Sequence, residues 1–85
     1  MLLARTTNQE KIPVGTPVRM RVTFTLEKKP TDTPDIVNLV ALIADTLEGV
    51  WYDNNSQIVE LQCRKVMGDH AKAYITVDEL IWPRR

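Results

Sequence analysis

The chain has 85 residues, eleven of them basic and eleven acidic, and no net charge at pH 7. That is one small domain with a modest core, which a second copy or a partner would help to complete. Charge balance excludes a nucleic-acid binder that works by overall basicity, so DNA binding needs a local basic face.

Residues 1–16 are mixed in character and carry Pro13 and Gly15. They read as an N-terminal arm, with residues 17–85 forming the folded domain. Met1-Leu2-Leu3 is followed closely by Arg5, which does not suit a signal peptide. From Pro17 to Leu26 the chain alternates. Val18, Met20, Val22, Phe24 and Leu26 fall on one side, with Arg19, Arg21, Thr23 and Thr25 on the other. Period two predicts a half-buried strand with a basic outer face. Lys28-Lys29-Pro30 ends it.

Thr33-Pro34-Asp35 is a helix start. Thr33 can cap, Pro34 suits the first helical position, and Asp35 favours the positive end of the dipole. Ile36, Leu39, Val40, Ile43 and Leu47 then recur at helical spacing, and Gly49 is placed to terminate the helix. Trp51 and Tyr52 follow, suited to packing over the helix end. Asp53-Asn54-Asn55 is turn chemistry. Ile58 to Val66 and Ala71 to Leu80 read as two further strands around a Gly68-Asp69-His70 turn, which predicts an antiparallel hairpin. The order is β-α-β-β, an α+β domain whose small sheet carries one main helix on one face.

Single Cys63 excludes an internal disulfide and suits a reducing compartment. With single His70 it also excludes a Cys/His zinc cluster. No apolar run is long enough for a bilayer, so no membrane partner is expected and the expected setting is cytoplasmic.

Two aspartates are the candidate catalytic groups. Asp35 stands in the first helical turn, and Asp53 stands in the turn before a strand. If the helix packs on that strand's end, the two carboxylates can approach and hold a hard cation such as Mg²⁺. The bland alternative is that Asp35 serves the helix dipole and Asp53 shapes a turn. Arg19, Arg21, Arg64 and Lys65 are the candidate phosphate-binding groups; neutral net charge favours their being a solvated face instead.

From Lys29 to Val66 the chain resembles the RusA-type Holliday junction resolvases of phages and prophages. Pro34, Asp35, Asn38 and Leu39 match the family's first block, and Asp45-Thr46-Leu47 its helix. Ser56, Gln57 and Ile58 match the block that opens a strand, and Lys65-Val66 match its end. The resemblance implies a dimeric, Mg²⁺-dependent endonuclease acting on four-way DNA junctions in recombination or repair. It also implies departures. Val37 stands where the family has an aspartate and Ala41 where it has a lysine. Asn54 and Asn55 stand where it has paired aspartates. Asp35 alone carries over as a metal ligand, with Asp53 a candidate substitute two residues before Asn55.

The expectation is therefore a RusA-like protein with impaired or lost Mg²⁺-dependent cutting and retained binding of branched DNA. The alternative is a protein-binding module on the same fold, such as a phage inhibitor of a host nuclease or defence complex. Against the family, the chain also starts late, lacking the strand and helix expected before residues 17–26. That would leave an edge or an apolar face for a second copy or a docked partner.

Overall fold

A computed structural model describes residues 2–6 and 11–80. Five elements organise them: strand β1 (Leu2–Thr6), strand β2 (Val18–Leu26), helix α1 (Ile36–Leu47), strand β3 (Ile58–Met67) and strand β4 (Lys72–Glu79). The strands form one mixed sheet in the order β1-β4-β2-β3. This is the expected α+β class, a small sheet with one helix packed on one face.

Strand β2 is central because its alternation is the cleanest. Val18, Met20, Val22 and Phe24 are buried, while Arg21 on the opposite side is exposed. β3 pairs parallel to β2, with Met20 opposite Leu61 and Val22 opposite Cys63. Parallel neighbours need a crossover, and α1 supplies it. On the other side of β2 lies β4, antiparallel, with Met20 opposite Val77 and Val22 opposite Ile75. Ile43 and Leu47 of α1 close the core over Met20, Val22, Ile75 and Val77, and Ile36, Leu39 and Val40 pack against its margin. Cys63 also packs at that margin. The expected helical stripe is thus the buried one.

The helix boundaries differ slightly from expectation. α1 begins at Ile36 with Asp35 at the cap position, so Pro34 precedes the helix instead of opening it. Asp35 makes no side-chain capping hydrogen bond. The C-terminus follows the sequence reading. Glu48 N–H donates to the Ala44 carbonyl, and Gly49 takes φ of 83°, a conformation that glycine enters without steric cost.

One expectation is overturned, the hairpin of β3 with β4. Both strands flank β2, so the Gly68–Ala71 connection steps over the end of β2. Gly68 N–H donates to the Leu26 carbonyl there, and a side-chain carbon at Gly68 would lie 2.5 Å from Thr25 Cγ2. Two short strands and a turn look like a hairpin locally. The strand that buries the most side chains, however, gains by having a neighbour on both of its edges, and that is a long-range preference. The segment read as an N-terminal arm over residues 1–16 also contributes to the sheet and the core. Leu2–Thr6 pairs in parallel with β4, and Ile12 is fully buried, its N–H donating to the Trp51 carbonyl at 2.8 Å. A parallel pairing across some seventy residues leaves no local trace.

Candidate functional site

The segment after α1 is densely bonded. Tyr52 is fully buried. Its hydroxyl lies 2.9 Å from the Ala44 carbonyl and 2.7 Å from Asn55 Oδ1, so one proton serves two acceptors. Asn55 Nδ2 donates to Asp45 Oδ1 at 3.1 Å, and Asn55 N–H donates to Glu48 Oε2 at 2.9 Å. Burial, with the Glu48 and Asp45 carboxylates nearby, pushes the Tyr52 hydroxyl up from 10.0 to about 12.

Gln57 sits just beyond, buried and satisfied at both ends. Its Oε1 accepts from the N–H groups of Asp53 and Asn54, each at 2.8 Å. Its Nε2 donates to the carbonyls of Pro13 at 2.8 Å and Thr16 at 3.0 Å. Gln57 therefore clasps the loop before β2 to the turn before β3. Asn54 caps a single 3₁₀ turn over Asn55–Gln57, its Oδ1 accepting from Ser56 N–H. The Asn54-x-x-Gln57 spacing is that of a capping box, so this clasp was half legible in the sequence. Its reach back to Pro13 and Thr16 was not.

At the other end of α1 the arrangement is sparse. Asp35 is exposed. Lys65, near the end of β3, donates from Nζ to Thr33 Oγ1 at 3.1 Å and to the Pro34 carbonyl at 3.0 Å. The end of β3, not its start, therefore lies beside the helix start. The start of β3 lies beside the helix end, where Asn55 meets Asp45.

The two candidate aspartates, Asp35 and Asp53, lie towards opposite ends of α1. The twelve residues of α1 separate the two ends by about 18 Å. Asp53 is half-exposed and stands 3.6 Å from Lys11. Asn55 already uses its carbonyl oxygen on Tyr52. Among the described residues no group of three or more acids, histidines or cysteines converges as a metal ligand set. The donors among the described residues do not fit Mg²⁺, which asks for several oxygens at near-octahedral geometry.

Val37 and Ala41 share the exposed flank of α1, and Val37 is 72% exposed. They stand in solvent and were not absorbed into the core.

The candidate basic patch is also divided. Arg19 is half-buried and lies 3.7 Å from Asp78. Lys65 is opposite Phe24 in the register and so faces the helix side. Arg21 and Arg64 remain together, lining a shallow depression on the helix-free face with Thr23 and Gln62. Among the described residues no helix is long and apolar enough to cross a membrane.

A mixed sheet with a helical crossover, carrying Pro34-Asp35 before the helix and Gln57-Ile58 opening the next strand, defines a resolvase-like domain. Residues 1–78 match the family described as Endodeoxyribonuclease RusA, and the chain belongs to that family. The match takes in the N-terminal segment as well as the blocks from Lys29 to Val66. No curated protein and no solved structure matches the chain.

Proposed function

We propose that this protein binds branched DNA as a homodimer and that its Mg²⁺-dependent cutting is impaired or lost. One observation carries the reading. Asp35 lies a helix length from Asp53 and Asn55, and Asn55 is engaged by Tyr52 and Asp45. Hydrolysis of a phosphodiester by a metal-bound water needs its donors within one coordination sphere. Phosphate contact falls to the helix-free face, where Arg21 stands exposed. Each phosphate contact adds to affinity and to its salt dependence.

The test is a synthetic four-way junction. A gel shift in EDTA and no cleavage with Mg²⁺ or Mn²⁺ are expected, and Arg21→Ala should weaken the shift and flatten its salt dependence. Cleavage that Asp35→Asn abolishes would overturn the loss of catalysis. A second reading, a protein-binding module, draws on the solvent-exposed Val37 and on Leu42, which is 64% exposed. Neither shift nor cutting of the junction would favour it.

A further inference from the structure

Strand β3 forms one edge of the sheet. Ten residues without proline make a long edge, and an unprotected edge is a template for another strand. Its side chains divide by register. Glu60, Gln62 and Arg64 lie opposite Arg19, Arg21 and Thr23 on the helix-free face. Leu61, Cys63 and Lys65 lie opposite Met20, Val22 and Phe24 on the helix face. Leu61 is 44% exposed although its neighbour Met20 is fully buried. Arg64 is exposed and, among the described residues, makes no ion pair.

Glu60-Leu61-Gln62-Cys63-Arg64 is self-complementary about its centre. An acid stands two residues before Gln62 and a base two residues after, with an apolar group on each side. We propose that β3 pairs antiparallel with β3 of a second copy about a two-fold axis at Gln62, joining the two sheets into one. This rests on the dimer reading above and adds the surface and its register. Each Glu60 then faces Arg64 of the second copy, and each Leu61 faces the second copy's Cys63.

Charge selects this register. Asp78, Arg19 and Glu60 already form a row of alternating sign across β4, β2 and β3. Arg64 of the second copy continues the alternation. An axis at Cys63 instead sets Gln62 against Arg64 and Leu61 against Lys65. An axis at Leu61 sets Ile58 against Arg64, and one at Arg64 sets like charges together. Only the Gln62 axis pairs opposite charges on one face and apolar groups on the other, as an isologous interface requires. It also places the two Arg21 residues on one continuous face, three strand spacings or about 14 Å apart.

Sedimentation equilibrium of the full chain tests the proposal. The wild type should dimerise. Glu60→Arg and Arg64→Glu should each raise Kd about tenfold, and the double variant should return towards wild type. Leu61→Cys should cross-link on mild oxidation to native Cys63 of the second copy, because facing residues lie within disulfide reach. Peptide mapping identifies that link whether or not the charge variants fold. A dimer indifferent to both single reversals, or a Leu61→Cys dimer without the 61–63 link, overturns this interface and leaves the dimer reading standing. A monomer at every concentration removes both.

Discussion

The two ends of helix α1 are built differently. At its C-terminal end Tyr52, Asn55 and Gln57 make seven side-chain hydrogen bonds between them. At its N-terminal end Asp35 makes no side-chain capping bond, and Lys65 bonds the Thr33 hydroxyl and the Pro34 carbonyl. The amides at the dense end hold the fold, since each polar atom there has a partner that would otherwise be stranded. The acid at the sparse end holds little. The departures that the resemblance implies fall at both ends, Val37 and Ala41 at one and Asn54 and Asn55 at the other.

Breaking the dense end should cost most. Gln57→Leu strands two N–H groups and two carbonyls and should lower stability by about 3 kcal/mol. Thermal unfolding followed by circular dichroism should show a fall in Tm of roughly 10–20 °C. A loss no larger than that of a surface substitution would mean the loop before β2 is held some other way.

Tyr52→Phe removes the proton shared by Ala44 and Asn55 and should cost about 1–2 kcal/mol in denaturant unfolding. Its pH signature is specific. The folded hydroxyl holds its proton up to about 12, above the ordinary 10.0. Wild-type stability from this group is therefore complete below pH 10 and declines as pH rises from 10 towards 12. The Phe variant should lack that decline, so the two unfolding free energies should converge at high pH.

Asn55→Asp sets a carboxylate against Asp45, 3.1 Å from the present amide nitrogen. The new carboxyl should titrate above the usual range. The variant should then match wild type in acid and fall behind by about 1 kcal/mol as pH rises through the carboxylates. Urea melts at acid and neutral pH would show it. Asp35→Asn should have the smallest effect, below about 0.5 kcal/mol, because only the helix dipole is involved. A larger loss there would make the sparse end structural and erase the contrast.

What could be read from residues alone followed from local pattern. The β2 alternation, the Ile36–Leu47 stripe and Gly49 at the helix end each have a signature within ten or so residues. The burial of Tyr52 and Trp51 against the helix end also follows from such proximity. The placing of Asp35 and Asp53 towards opposite ends of α1 did not, because it depends on which strand ends the helix start lies over. A parallel βαβ crossover runs the helix back against its strands, so its start lies over their far ends. Lys65 at the helix start and Asp45 beside Asn55 are the direct consequence.

Sequence by itself determined strands β2, β3 and β4, helix α1 with its buried face, and the family. Those depend on periodicity and on residues close together in the chain. Tertiary structure alone decided that β1 joins β4, that β3 and β4 stand apart on either side of β2, and that the candidate acids are a helix length apart. Each of these is a choice among strand neighbours, set by which edges and faces the whole chain can bury at once, and no short window of residues contains that comparison.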